Sequence, residues 1–296
     1  MKMRSQILVL AIVAIIAGSA ALNAQSDRQE KTGRAPAKTK VYKFRSADYP
    51  GGTLSTVLDY EGGIAVGGTS FGSEPEIGFA YRGTTNSVIA YPGSISSEAS
   101  GVNASGHIVG AFADQNGVVH GFLYDGKTYA TIDPPGSTYT YTLGINERGV
   151  IVGWYSDGSG SQHGFVDTNG KFTQIDYPGS ELTAAGGINA AGEIVGYYSV
   201  NYVSHGFLLS NGSFIEIDFP SMPATTVTGI NDKGAIAGSY LDFNNVSHGF
   251  TLIDGTFTTV DVPEAQQTYL KRISNNGNVA GYLQDAYYQL HGIIGE

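Results

Sequence analysis

The sequence of 296 residues contains 42 glycines, 19 tyrosines, only 14% charged residues and a net charge of −10. It has no cysteine, which excludes disulfides, a thiol-linked lipid, a cysteine nucleophile and thiolate zinc sites. From Ser46 onward seven Lys or Arg stand against 24 Asp or Glu, a surface that repels phosphate backbones and excludes nucleic acid as a partner.

Lys2 and Arg4 precede an apolar run from Ile7 to Ala17 and the small residues Gly18, Ser19, Ala20 and Ala21. That order is the signature of a secretory signal peptide, and the run falls short of the roughly 20 residues of a membrane span. Residues 1–24 are therefore expected to be removed, with Ala21 as a second cleavage point, leaving a secreted or periplasmic protein without a membrane span. Residues 25–40, with Asp27, Arg28, Glu30, Lys31, Arg34, Lys38 and Lys40 and hardly any apolar side chain, read as a solvated basic linker. Residues 41–296 form one domain.

That domain is a repeat. His-Gly-Phe begins at His120, His163, His205 and His248, with degenerate copies at Ile77 and His291, so the period is 42 or 43 residues. Complete units also carry a Gly-Ile-Asn-x-x-Gly-x-Ile-Val-Gly stretch, as at Gly144 to Gly153, and end in Ile-Asp-x-Pro-Gly, as at Ile175 to Gly179. Turn dipeptides at Asp125, Asn169, Asn211 and Asp254 divide each unit into four short strands. Four strands in this period match a propeller blade, and six units are present. The last unit stops before its fourth strand, while Lys43 to Gly51 copies Lys171 to Gly179. The expected fold is therefore all-β: a six-bladed β-propeller of four-stranded blades, its ring closed by the N-terminal strand completing the last blade, which removes the exposed sheet edges.

Over Val41 to Glu296 the units resemble the HAF repeat of secreted bacterial proteins, with His-Gly-Phe in place of His-Ala-Phe. The resemblance implies an extracellular repeat protein and no particular activity.

The repeated histidines lie 13 residues before an aspartate: His120 and Asp133, His163 and Asp176, His205 and Asp218, His248 and Asp261. A two-residue turn between them places each pair opposite across the third and fourth strands. The unit with Ile77 instead of His has Ala90 instead of Asp, and His291 is expected to meet Asp48 from the other end of the chain. These pairs are read as structural staples; each alone offers two ligands where a metal wants about four or more. No cofactor is expected. Calcium is the one ion that the loops at Asp114, Asp157 and Asp242 bring to mind, but turn formation explains those aspartates better.

Tyr155, Tyr197, Tyr198 and Tyr240 are assigned to the core or rim, and Tyr139, Tyr141, Tyr202, Tyr287 and Tyr288 to an exposed binding face. Hydroxyls at Thr53, Ser97, Thr140, Thr183, Thr225 and Thr268 open the first strands and can ring one channel mouth. The glycine repeated at Gly101, Gly144, Gly187 and Gly229 becomes Arg272, preceded by Lys271; the first reading is that the closing unit tolerates the variation with the pair held by neighbouring acids, the second that a donor fork there suits an anion on the axis, and Arg272→Gly is expected to keep or raise stability. Motifs for serine, phosphate-loop, zinc or cysteine chemistry are absent. The leading functional expectation is a non-catalytic binding or scaffolding module for a glycan, a peptide or an envelope protein. The alternative is a secreted polysaccharide hydrolase or lyase with carboxylates at the channel mouth.

Overall fold

The computed structural model describes residues 40–296; the expected signal peptide and all but the last residue of the linker lie outside the described residues. The described chain is all-β, without a helix, and holds 24 strands. They follow one scheme, seen in the strands Tyr139–Ile145, Ile151–Ser156, Gln162–Thr168 and Lys171–Ile175, each antiparallel to the next. The first strand carries a one-residue bulge, here between Thr142 and Gly144, which re-aims its end.

The strands pair into five sheets, four of four strands and one of eight. The eight-stranded sheet consists of two such meanders, joined by a single parallel pair between Gln162 and Leu182. At the chain ends, Phe44–Ser46 pairs antiparallel with Leu290–Gly295, Phe44 opposite Gly295 and Ser46 opposite Ile293. First strands pack side by side in sequence order, and the first of these, Leu54–Glu61, also packs against the last, Gln267–Ile273.

The core lies between successive meanders. Val66 and Ile89 pack with Ile108 and Phe122, Val109 with Ile151 and Phe165, and Ala280 and Ile294 with Val57 and Phe79. The Phe of each His-Gly-Phe is fully buried at positions 122, 165, 207 and 250, as is Phe79 of the degenerate copy at Ile77. Its glycine is needed for close approach: a Cβ on Gly121 would lie 2.6 Å from Ile132 O and 2.7 Å from Thr142 Cγ2 of the next meander. An alanine at this position requires wider spacing.

Candidate functional site

Two regions gather polar and aromatic side chains: the axis where the first strands meet, and the face bearing the loops between second and third strands.

On that face each repeated histidine is held from two sides. Nδ1 lies 2.7 Å from Asp133 at His120, 2.9 Å from Asp176 at His163, 2.6 Å from Asp218 at His205, 2.8 Å from Asp261 at His248 and 3.0 Å from Asp48 at His291. Nε2 turns toward a second carboxylate: Asp114 at 3.9 Å, Asp157 at 3.5 Å, Asp242 at 3.7 Å and Asp285 at 3.5 Å. Those aspartates also cap their loops; Asp157 Oδ1 accepts the N–H of Ser159 and of Ser161, and these bonds, led by the Ser159 hydroxyl, pull its carboxyl down to about 2. This second partner was missed in the sequence, although the recurring six-residue spacing from Asp to His carried it. The meander of His205 has a two-residue turn at Asn201 and Tyr202 in place of the loop. There Glu216 approaches instead, so His205, Glu216 and Asp218 form a three-residue group with ligating atoms within 4.8 Å. Within it Glu216 Oε2 accepts the Tyr198 hydroxyl at 3.1 Å.

Hydrogen bonds to Asp218 and Asp48 raise the pKa of His205 and His291 above the usual 6.5. A raised folded value contributes stability that is complete below about pH 6.5 and is lost as pH rises through the folded values. The melting temperature of the His205→Gln/His291→Gln variant should therefore approach that of the wild type as the buffer moves from acid to alkaline; a constant gap contradicts the assignment. A second expectation concerns His163→Ala and Asp176→Ala, whose double mutant should cost less than the sum by about 0.5 kcal/mol or more. A double-mutant cycle in urea checks it, and strict additivity contradicts a coupled pair.

The expected hydroxyl ring is placed differently. Ser55, not Thr53, occupies the register of Ser97, Thr140, Thr183, Thr225 and Thr268, opposite Thr69. All six are buried, and they tie down the incoming chain instead of lining a mouth. Ser55, Thr183, Thr225 and Thr268 accept the N–H of Tyr49, Tyr177, Phe219 and Val262. At the equivalent place Pro134 has no N–H, and Thr140 donates to Ser137 instead.

Arg272 is only 8% exposed. Its Nε lies 3.3 Å from Asp59, and its two other nitrogens donate to the carbonyls of Thr228 and Leu143. The fork is thus committed to internal acceptors from three other meanders: for Arg272 this fits the reading of a basic residue held by a neighbouring acid and corrects the second reading, a free anion receptor. Asp59 holds the position of Gly101 and Gly144, opposite Val66 as they are opposite Val109 and Val152. The two departures from glycine are an ion pair between the first and last meanders, and Asp59 was the half overlooked in the sequence. Around them the Asn of each Gly-Ile-Asn bridges to the next meander: Asn103, Asn146, Asn189 and Asn231 donate to the carbonyls of Asn146, Asn189, Asn231 and Ser274. The depression at this end has a volume of only about 50 Å³, room for a few waters and too little for a sugar ring.

Toward the loop face the side chains near the axis are chemically mixed. Tyr141 stacks on Trp154 with centroids 4.6 Å apart, and Tyr269 on Tyr282 at 4.8 Å. This corrects the exposed placement expected for Tyr141, which packs on Ala111 and Ala113. Lys271 Nζ lies 5.4 Å from the Tyr282 ring centroid, and burial lowers its pKa to about 8 despite the nearby Glu98. Glu76 and Glu98 face this cluster; burial pushes both carboxyls up, and the charge of Glu98 adds to the effect on Glu76.

The remaining aromatic candidates stand in the open. Tyr139, Tyr202, Tyr287 and Tyr288 are exposed, as is Phe243, which the sequence reading missed. Tyr202 and Tyr288 hold left-handed backbone, φ 64° in each case. Tyr288 occupies the loop position of Gly117 and Gly160, which have φ 81° and 86°.

No protein-family model matches the chain, and no curated protein matches it. Several solved structures are similar. The fucose-specific lectin from Aleuria aurantia matches with a TM-score of 0.51 and 12% identity over 83% of this chain and 92% of that one. AofleA from Arthrobotrys oligospora matches at 0.55 and 12% identity, covering 86% of each chain. The β-propeller domain of the Trilobed protease from Pyrococcus furiosus matches at 0.51 and 11% identity over 83% of this chain and 94% of that one. Together with the all-β meanders, these likenesses give the class of the fold as a β-propeller.

Proposed function

We propose that this chain is a secreted six-bladed β-propeller that binds glycan through its loop face and carries out no catalysis. The repeat count, the pairing of Phe44–Ser46 with Leu290–Gly295 and the packing of the first inner strand on the last support six blades closed by the two chain ends. The lectin named for fucose among the similar structures supports a carbohydrate partner over a peptide or an envelope protein. The observation that carries the reading is the backbone of Tyr202 and Tyr288. A left-handed conformation costs a non-glycine residue about 1 to 2 kcal/mol, yet the two residues are 68% and 79% exposed. Neither ring gains burial that offsets the strain, so binding is the function that accounts for it. An exposed tyrosine ring offers an apolar face to the C–H side of a sugar and a hydroxyl to its polar edge.

A hydrolase or lyase would place its carboxylates at Glu76 and Glu98. Burial raises both carboxyls, and the binding reading rests on the exposed tyrosines instead. The test is a glycan array read with wild type, Tyr202→Ala and Tyr288→Gly. We expect a defined set of bound glycans whose signal falls at least about tenfold in either variant, with melting temperatures unchanged or raised. A blank array, with sugar release in a polysaccharide hydrolysis screen, would overturn the reading.

A further inference from the structure

Three consecutive units raise an aromatic tip on the loop face: Tyr202, then Phe243, then Tyr287 with Tyr288. Their first strands, Leu182–Ile188, Ala224–Ile230 and Gln267–Ile273, pack side by side in that order, so the tips form one unbroken arc. The corresponding loops of the other units carry Gly72 and Ser73, Gln115 and Asn116, and Gly158 and Ser159. Phe243 and Tyr287 are 77% and 81% exposed, as open as the two strained tyrosines. Each tip is anchored by a carboxylate. Glu181 accepts the N–H of both Asn201 and Tyr202 at 3.2 Å. Asp242 Oδ1 accepts those of Asn244 and Val246, and Asp285 Oδ1 those of Tyr287 and Gln289, all at 2.8 Å. Groups fixed before a ligand arrives lose little entropy when it binds.

The charge of this face is one-sided. The connections from second to third strands hold six Asp or Glu, those from fourth to next first strands hold seven, and neither set holds a Lys or Arg. At the opposite end of the strands, Lys127, Arg148 and Lys233 stand among five acids. A carboxylate that accepts two N–H bonds keeps lone pairs for further donors. The loop face therefore presents aromatic rings and hydrogen-bond acceptors, and its field repels a uronate or sulfated chain. A ligand rich in hydroxyls and free of charge fits both features. Spacing sets its length: packed sheets stand about 10 Å apart, roughly two hexose lengths, so one sugar residue touches one tip and a chain of about five reaches all three. A protein interface has a continuous apolar core, whereas these tips rise from separate polar loops.

We propose that the loop face is a platform for the interior of a linear, uncharged polysaccharide, the chain lying across Tyr202, Phe243 and Tyr287 and its hydroxyls donating to the loop carboxylates. The proposal rests on the glycan-binding reading and deepens it, because it assigns the length and charge of the glycan and adds Phe243 to the site.

Calorimetric titration of the folded protein tests it with the dimers and hexamers of β-1,4-linked glucose, mannose and N-acetylglucosamine, the mannuronate hexamer and hexalysine. At least one neutral hexamer should bind at least about tenfold more tightly than its own dimer, and more tightly than the mannuronate hexamer or hexalysine by a similar factor. Tyr202→Ala, Phe243→Ala and Tyr287→Ala should each weaken that hexamer at least about fivefold, with melting temperatures unchanged or raised because the side chains are exposed. A hexamer no tighter than its dimer, a loss confined to one of the three substitutions, or equal binding of mannuronate or hexalysine would overturn it. If dimer and hexamer bind equally and Tyr202→Ala or Tyr288→Gly weakens both, the glycan-binding reading stands and the platform falls. The same holds if the array reports only branched or acidic glycans and no neutral hexamer binds. If no glycan binds wild type on the array or in solution, both fall.

Discussion

Deleting residues 1–48 will lower the melting temperature far more than deleting residues 1–40. The longer deletion removes Phe44–Ser46, and with it the ladder to Leu290–Gly295. It takes Ala47 from the cluster of Val57, Phe79 and Ile294. It also removes Asp48, which receives both the His291 ring and the Gly292 N–H and whose carbonyl accepts the Tyr81 hydroxyl. The strand Leu290–Gly295 becomes an unpaired edge, open to association with other chains. The shorter deletion costs the Lys40 contact with the Gly277 carbonyl, an exposed bond of small value. Losing a strand, its core and its polar anchors together amounts to several kcal/mol, a large share of the roughly 5 to 15 kcal/mol that hold a typical domain. Calorimetry and size-exclusion chromatography of the two truncations read both effects. Equal melting temperatures would contradict closure by the N-terminal strand.

The second large effect is at the axis. Arg272→Gly restores the repeated glycine, and from sequence alone it is expected to be harmless. The structure reverses the sign, because the substitution leaves Asp59 enclosed without its cation. Burial already raises the Asp59 pKa, and Arg272 is the main opposing influence. Breaking one side of a buried pair costs about 3 to 5 kcal/mol. Asp59→Gly/Arg272→Gly makes the glycine ring continuous and should recover most of that loss, since the two effects are not additive. A double mutant no more stable than Arg272→Gly would mean that the guanidinium acts chiefly through the carbonyls of Leu143 and Thr228.

The repeat was legible because each unit solves the same packing problem. Buried Phe, close-approach Gly, paired His and Asp, and the split unit at the chain ends all recur at the same offset. Blade residues facing their neighbours are therefore readable from self-similarity. The axis was not, because there one residue meets several units at once. Arg272 could be seen as an exception to glycine, but its partner Asp59 lies 213 positions away and precedes a first-to-second-strand connection one residue shorter than those after Gly101 and Gly144. Likewise Gly68 is unremarked in a chain with 42 glycines, and only the Glu76 carboxylate, which a Cβ there would overlap, gives it meaning. The hydroxyl series failed by two positions at Thr53, since the first unit departs most from the consensus. Exposed aromatics divided similarly: Tyr202, Tyr287 and Tyr288 fall in loops and stay in solvent, while Tyr141, within a strand, stacks on a tryptophan.

A crystal structure of the protein with the strongest glycan from the array would test the binding account most directly. The account predicts the sugar on the face that carries Tyr139, Tyr202 and Tyr288. Sugar bound at the opposite mouth, beside Asn103, Asn146 and Asn189, with that aromatic face empty, would contradict it.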